Sequence, residues 1–302
     1  MEYKKYNPSH LQQVVDLLNI SFPGNKISKK TFIWKHHHNF FNQKTRSMVA
    51  IDEGTVCSFV CFAPIIIEKK RRVFDQFYSC AVQATHPNYQ RQGLVSKLTQ
   101  EIEKELGSDI NYIGFSNAQG VKIDKFSKKI NYQVLGQMVN RYVFSLPYKA
   151  DLVVKEINYK SLNLESTNLT NKFSIQKDKS YLDWRYMDNP KSKYNYFQIK
   201  KGSTLLGYLV CRKGKMKYSV VEILLNKFDS LTCKQVIKAF SKYAFSQGKF
   251  IVSYSYLKNN FWNNSFPFLS SSRHISTFFT VKSVNNDLLN NENWIIQGGD
   301  IQ

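Results

Sequence analysis

The sequence predicts a two-domain α/β protein in which one unit of mixed sheet and helices occurs twice. The chain has 302 residues, 42% of them hydrophobic, which is enough for two ordinary domains with substantial cores. The second observation is an internal repeat. Phe32–Asn39 and Leu182–Asn189 each contain a Trp, then a cationic residue, and four residues later an Asn, at an offset of 150 residues.

The first copy has its elements in the order helix, strand, strand, long strand, helix, strand, which predicts a mixed α/β sheet. Leu11, Val14, Val15 and Leu18 fall on one face of the first helix. A turn containing Gly54 then joins two strands in a hairpin. The later elements are a strand at Phe77–Ala84, a helix ending at Gly107 and a strand at Asn111–Phe115.

The second copy repeats this order, with a hairpin around Gly202 and a helix that ends at Gly248. Glycine just past a helix is a common stop signal, and it occurs in both copies. We therefore expect domains at residues 1–146 and 171–302. The region between them, 147–170, is expected to be a linker, because Pro147 and a polar run interrupt the periodicity there.

The net charge of +21, from 43 Lys plus Arg against 22 Asp plus Glu, is spread evenly along the chain. A nucleic-acid arm or a polybasic membrane anchor would concentrate it, so we expect neither. The even excess suits an anionic ligand or is simply a lysine-rich composition. Val56–Ile67, the longest nearly apolar stretch, is too short to span a membrane. The N-terminus lacks the apolar region of a secretory signal, which predicts a cytoplasmic protein.

No metal or disulfide site is expected. The five cysteines form no CxxC pair, and each lies in an apolar context where a free thiol behaves as a small hydrophobe. The run His36–His38 invites a metal hypothesis, but consecutive helical side chains point about 100° apart and cannot all reach one ion.

The stretch from Ala84 to Leu98 carries the clearest chemical signal. It connects a strand to an amphipathic helix through Gln90-Arg91-Gln92-Gly93. Because unpaired N–H groups and the positive end of the macrodipole meet at a helix start, such a turn can bind a phosphate or pyrophosphate. The glycine allows close approach and the arginine adds charge. It is neither a Walker A loop nor a Gly-x-Gly-x-x-Gly motif.

Pro87-x-Tyr89-Gln90-Arg91-Gln92-Gly93-Leu94-Val95 resembles the coenzyme A pyrophosphate loop of the GNAT acyltransferases, Gln/Arg-x-x-Gly-x-Gly/Ala. The whole chain resembles the tandem GNAT group, through the two Trp-cation segments, Asn117 after the fifth strand, and Trp294 followed by Gly299-Asp300. It departs from the family where Val95 replaces the usual Gly or Ala.

The resemblance implies two tandem GNAT-like domains, each a mixed, mostly antiparallel sheet flanked by helices. It also implies that acetyl-CoA or another acyl-CoA is the co-substrate, and that an amine attacks the thioester directly. Asp75 could then serve as base and Tyr132 as acid. The implied acyl-CoA ligands are Gln83, Ala84 and Thr85 on the strand, Gln90, Arg91, Gln92, Gly93, Leu94, Val95 and Ser96 in the loop and helix start, and Asn117.

The second copy has no glycine between Leu225 and Val236, so we expect it to bind no CoA and to form a wall of the acceptor site or to bury the face of the first domain. The preferred acceptor is a small-molecule amine, an amino sugar, anionic or nucleotide-linked, in surface polysaccharide assembly. Two other functions stay open: a non-catalytic GNAT-like binding protein, and aminoacyl transfer from a charged tRNA, which the charge suits but which needs no CoA loop. The oligomeric state is left open.

Overall fold

Both copies fold as mixed sheet and helix in the order that the sequence indicates. The computed structural model describes residues 1–36, 44–70, 72–107, 109–117, 132–163 and 170–301, and for Asp75 it describes the backbone alone. The first half contains β1 (Glu2–Lys5), α1 (Leu11–Ser21), α2 (Lys29–His36), β2 (Arg46–Asp52), β3 (Thr55–Lys69), β4 (Arg72–Thr85), α3 (Leu94–Leu106), β5 (Asn111–Asn117) and β6 (Gln133–Phe144).

The second half begins with an edge strand and a short strand and then repeats the hairpin, long strand, helix and strand of the first. Its elements are β7 (Val153–Ile157), β8 (Ser174–Ile175), α4 (Lys179–Leu182) running into a π-helix (Asp183–Met187), β9 (Asn195–Lys201), β10 (Thr204–Lys213), β11 (Lys217–Leu225), α5 (Ser230–Ser246), β12 (Ile251–Leu257), α6 (Asn260–Ser265) and β13 (Ser270–Lys282). None of the described helices is long and apolar enough to cross a membrane.

One sheet of 13 strands runs through the described residues. Its order is β1-β2-β3-β4-β5-β13-β6-β12-β11-β10-β9-β7, and β8 pairs with β3. Among the described strands, β4–β5 and β11–β12 are the parallel neighbours, one pair in each half. The other pairs are antiparallel, which confirms the predicted fold class of two mixed, mostly antiparallel α/β units in tandem.

The two halves share their central strands rather than forming separate sheets. β13, the last strand of the chain, lies between β5 and β6 and pairs with both, while β6 also pairs with β12. β7 lies inside the segment 147–170 that was expected to be a linker, yet it pairs with β9 over Val153–Ile157, so this part of the segment belongs to the sheet. The domain boundaries themselves stay a prediction.

The helices of the first half cover opposite faces of its strands. Phe59 packs with α1 and α2, whereas its neighbour Val60 packs with α3. Because successive side chains of a strand point to opposite faces, α1 and α2 lie on one side of β3 and α3 on the other. The slot described below therefore has a helix-covered face on each side.

The repeated tryptophans lie where the two halves meet. Trp34 and Trp184 stack with ring centroids 5.5 Å apart, and both are buried. The indole N–H of Trp34 donates to the carbonyl of Trp184 at 2.9 Å, and that of Trp184 donates to the carbonyl of Trp34 at 2.8 Å. This reciprocal contact joins α2 to the π-helix and shows that the repeat is a packing motif as well as a sequence motif.

Candidate active site

A wedge-shaped slot opens between β4 and β5. The two strands pair only over Phe77–Cys80 and Asn111–Gly114. Beyond that point β4 continues to Thr85, paired with β3 on its other edge, and β5 continues to Asn117, paired with β13. Among the described residues, the inner edge of β4 that carries Gln83, Ala84 and Thr85 therefore has no neighbouring strand, so a ligand with amide groups can pair with its backbone.

A β-bulge marks the vertex of the slot. Phe62 of β3 opposes Cys80, but the next residue back along β3, Cys61, opposes Val82, so Ala81 has no partner across the pair. An extra residue bends the bulged strand and increases its twist. The bulge thus explains why β4 departs from β5 at this position.

Hydrogen bonds from neighbouring elements fix the far end of β4. The hydroxyl of Ser58, fully buried on β3, donates to the carbonyl of Ala84 at 2.9 Å and lies 2.9 Å from Thr85 Oγ1. At the end of α1, the hydroxyl of Ser21 donates to the carbonyl of Thr85 at 3.3 Å. The wall of the slot is therefore held rigidly at the end where a ligand would enter.

The loop after β4 has the geometry of an anion site. Gly93 is the N-cap of α3 with φ of 74°, and Arg91 also lies in the left-handed region, with φ of 66°. A Cβ added at Gly93 would meet nothing within 4 Å, so the space before the helix is open. Gln90, Arg91 and Gln92 are exposed there. A tight turn into a helix start presents free N–H groups, which suit a phosphate.

The loop is anchored to the first hairpin. The hydroxyl of Tyr89 donates to Asp52 Oδ2 at 3.1 Å, next to the turn between β2 and β3. In the first turn of α3, Leu94 is buried and Ser96 is half-buried. Val95, the departure from the family pattern, packs against the core beneath α3. Its side chain is therefore accommodated by the core.

The other predicted ligand, Asn117, ends β5 and is exposed. It lies opposite Thr277 of β13, across the slot from the end of β4.

Tyr132, the predicted acid, lies on the α3 side near the vertex. Its ring is 6.2 Å from that of Tyr112, and among the described residues its buried hydroxyl has no hydrogen-bond partner. Burial, and next the nearby Cys80 and Glu103, raise its pKa well above the ordinary value, so the phenol is protonated at neutral pH. It also lines a cavity of about 570 Å³ at the start of β5, together with Phe77 and Lys282.

The structure describes less of the predicted base. The backbone of Asp75 lies in β4, where pairing with β3 is irregular between Phe74 and Phe77. It is five residues before Cys80, or roughly 16 Å along the strand. Its side chain lies outside the described part of the chain, so its role stays a prediction.

A group of cations on the α2 side was not predicted from the sequence as a group. Lys35 is half-buried above β3, close enough to Arg185 and Lys191 to be affected by their charges. Burial, and next the charge of Arg185, lower its pKa to about 8, although nearby Cys61 opposes this. No carboxylate of the described residues forms an ion pair with Lys35. Cys61 faces Val82 across the β3–β4 pair, so this cation lies one strand away from the slot.

The described residues offer no cluster of metal ligands, and the thiol at the vertex is protonated. Within the described residues no group of three His, Cys, Asp or Glu side chains could hold a metal ion, and His37 and His38 lie outside those residues. Cys80, at the vertex, has its thiol pKa raised by burial, which favours the unreactive protonated form.

Comparison with known proteins agrees with this geometry. Residues 2–113 match the family model of the acetyltransferase (GNAT) domain. No curated protein matches the chain in sequence.

Solved structures share the fold at low identity. A conserved protein from Enterococcus faecalis V583, designated a probable N-acyltransferase, aligns with a TM-score of 0.71 and 12% identity over 94% of this chain and 72% of its own. A tandem GNAT protein from the clavulanic acid biosynthesis pathway aligns with a TM-score of 0.60 and 10% identity over 93% of this chain and 98% of its own. A glucosamine N-acetyltransferase region of a fungal multi-domain β-N-acetylglucosaminidase also has a TM-score of 0.60 and 10% identity, over 93% of this chain and 38% of its own.

At this identity the solved structures show the fold alone, and the chain shares it over 93–94% of its length with a probable N-acyltransferase and a tandem GNAT protein. The family match covers residues 2–113, so this first part of the chain, which forms the loop and most of the slot, is similar to the acetyltransferase (GNAT) domain.

Proposed function

We propose that this protein transfers an acyl group, preferably acetyl, from acyl-CoA to a primary amine by direct attack. The observation that carries the proposal is the slot between β4 and β5, which begins at a β-bulge and ends at an open turn with Gly93 at the start of α3. Acyl-CoA fits both features in the order in which they occur, because the amides of its pantetheine arm can pair with the slot and its pyrophosphate can bind at the turn.

In this proposal the pantetheine arm lies along Gln83–Thr85, with its amides completing the hydrogen bonds of the free edge of β4. The pyrophosphate binds at Gln90–Ser96, and Asn117 contacts the donor from β5. The thioester then lies near the vertex, where backbone N–H groups can stabilise the oxyanion of the tetrahedral intermediate. Positioning of the two reactants supplies much of the remaining rate.

The chemical step is an addition and elimination. The acceptor ammonium first loses a proton to a base, for which we propose Asp75, acting through a chain of several waters because its backbone lies roughly 16 Å along β4 from Cys80. The amine nitrogen then bonds to the thioester carbon as the C–S bond breaks. Tyr132, held in its protonated form by burial, gives its proton to the departing thiolate. No covalent enzyme intermediate is required.

The ammonium of Lys35, which forms no ion pair with a carboxylate of the described residues and has Arg185 and Lys191 close by, supports an acceptor that carries an anionic group. Adjacent strands are about 4.8 Å apart, so an anion at Lys35 would place an amine a few bonds away at the slot. A nucleotide-linked amino sugar of surface polysaccharide assembly, modified in the cytoplasm, has both groups. The glucosamine N-acetyltransferase region with the same fold is a further support for an amino sugar.

The proposal is tested by calorimetry with acetyl-CoA on the wild type, Gly93→Asp and the control Gly248→Asp. Gly248, after α5 in the second half, also has open space around it and has a similar φ of 66°. We expect micromolar binding that Gly93→Asp abolishes and Gly248→Asp leaves unchanged. A free-thiol assay with anionic amino sugars then identifies the acceptor. Absence of binding in the folded wild type would contradict the proposal and favour a non-catalytic binding protein or a tRNA-dependent transferase.

A further inference from the structure

The second half of the chain contains the same slot as the first. β11 and β12 pair only over Lys217–Val220 and Ile251–Tyr254, and both segments lie 140 residues after their counterparts in β4 and β5. The bulge is also repeated. Val210 opposes Glu222 and Cys211 opposes Val220, so Val221 has no partner, 140 residues after Ala81. By this correspondence Ile223 is the counterpart of Gln83.

The second slot is filled by the segment Ile296–Asp300 of the same chain, called the tail below. The side-chain amide of Gln297 makes two hydrogen bonds to the backbone of Ile223: Oε1 accepts from its N–H at 2.8 Å, and Nε2 donates to its carbonyl at 3.1 Å. On the other wall, the N–H of Leu257 donates to the carbonyl of Ile296 at 3.1 Å, and Gln297 bridges to Tyr256. The segment thus enters at the open end of the slot and satisfies both strands.

The segment continues toward the vertex and is fixed there by buried groups. The carbonyl of Gly299 accepts from Tyr181 at 3.2 Å and from Arg185 Nε at 2.9 Å. Lys177 pairs with Asp300 and lies 3.3 Å from Glu222.

Packing around Gly299 leaves no room for a side chain. A Cβ there would come within 2.1 Å of both Glu222 Oε1 and the Tyr186 hydroxyl. The fit is therefore specific to this segment and sensitive to a single methyl group.

We propose that Ile296–Asp300 is a built-in occupant of a second pantetheine-type site, with the Gln297 amide in the place of a pantetheine amide. The inference rests on the proposed use of acyl-CoA by the first slot. It has two consequences. The chain binds one acyl donor, and the second slot accepts pantetheine only when the segment is displaced. By the 140-residue correspondence, the N–H and carbonyl of Gln83 are the partners of a pantetheine amide in the open slot.

The test is amide hydrogen exchange with and without pantetheine on the wild type, Gly299→Ala and the milder Gln297→Ala, with Gly24→Ala as the matched control. In the wild type we expect pantetheine to slow exchange at residues 82–85 and not at 222–225. In the two tail variants it slows both regions. Without ligand, the Ile223 amide exchanges at least tenfold faster in Gln297→Ala than in the wild type or Gly24→Ala.

Protection of 222–225 in the wild type would overturn the inference. An Ile223 amide that exchanges at the same rate in the wild type and all variants would also overturn it. The same holds if pantetheine slows exchange at 82–85 but not at 222–225 in both tail variants. If pantetheine protects 82–85 in no variant, the proposed donor fails, and the inference fails with it. Thermal melts identify any variant that does not fold. If Gly299→Ala does not fold, Gln297→Ala still provides the test.

Discussion

The two slots of this molecule share strands, bulge and vertex, but they differ at the helix that follows. In the first, α3 begins at Gly93, in the left-handed region and with open space around it. In the second, α5 begins at Asp229, with φ of −122°, and the Asp229 carboxylate accepts from the N–H of Thr232 at 2.8 Å. The start of α3 has space for an anion from a ligand, whereas the start of α5 already has the carboxylate of Asp229.

The environment of Asp229, the N-cap of α5, favours its negatively charged form. Partial burial opposes ionisation of Asp229, but hydrogen bonds from Thr232 and Lys227 hold its pKa below the ordinary value. If acyl-CoA binds the first slot as proposed, the second unit excludes it twice, because the Asp229 carboxylate occupies the helix start that corresponds to the pyrophosphate site and Gln297 occupies the slot. The comparison teaches that one slot geometry can be left open in one unit and be filled by the protein's own residues in the other.

The largest expected effect comes from releasing the occupant of the second slot. Lys177→Met leaves two buried carboxylates, Asp300 and Glu222, without their cation, which should cost about 3–5 kcal/mol in the free energy of unfolding. Lys179→Met, which breaks the exposed pair with Asp183 and a cation–π contact with Tyr159, should cost less, about 1 kcal/mol. Urea denaturation measures both. Equal costs would show that the tail is not held by its buried ion pairs.

The next effect separates charge from shape at the first helix start. Gly93→Asp places a carboxylate at the start of α3, as α5 has at Asp229, while Gly93→Asn adds a side chain of the same shape without charge. We expect Gly93→Asp to weaken acetyl-CoA binding at least tenfold more than Gly93→Asn does, or about 1.4 kcal/mol, because a carboxylate repels the pyrophosphate. Calorimetry measures the two affinities. Equal losses would mean that shape alone excludes the donor.

The third effect is a pH dependence that arises at Lys35, whose pKa is lowered by burial and next by Arg185 of the second unit. With a pKa of about 8, Lys35 is charged below that pH and neutral above it, so an anionic acceptor should bind well below pH 8 and progressively less well above it. We expect the KM for the acceptor to rise up to about tenfold per pH unit there. Lys35→Arg, which stays charged, should remove the rise, and Lys35→Met should give a high KM at every pH.

An acceptor analogue with a hydroxyl in place of the amine separates this effect from titration of the acceptor itself. If the inhibition constant of that analogue does not change through pH 8 in the wild type, Lys35 does not bind the anionic group.

The smallest effect concerns the rigidity of the open slot. Ser58→Ala removes the hydrogen bond to Ala84, which should cost about 1 kcal/mol and weaken acetyl-CoA binding a few-fold. Ser253→Ala, which removes a buried hydroxyl 3.0 Å from Ser219 in the second unit, should cost a similar free energy and leave the donor affinity unchanged. A loss of affinity in both variants would contradict the assignment of the donor to the first slot.

Local signals in the sequence predicted the local structure well. Glycine stops placed the end of α3 at Gly107, and the turns placed both hairpins where the structure has them. The loop at Gln90–Gly93 was found because its chemistry lies within a few consecutive residues. The repeat around Trp34 and Trp184 was also visible, since both members must be tryptophan to exchange their two hydrogen bonds.

What the sequence did not reveal depends on contacts between distant residues. Gln297 bonds to Ile223, 74 residues away, and nothing in the residues around Gln297 indicates which strand it meets. The insertion of β13 between β5 and β6 is hidden for the same reason, because periodicity predicts a strand but not its neighbours. The low pKa of Lys35 depends on its burial and next on Arg185, and only the fold supplies both.

The most direct test of the difference between the two slots is the number of acetyl-CoA molecules bound per chain, measured by calorimetry on the wild type. We predict a single site, lost in Gly93→Asp. Two sites per chain, or one site that persists in Gly93→Asp, would contradict the assignment of the open slot to the donor and of the second slot to the tail.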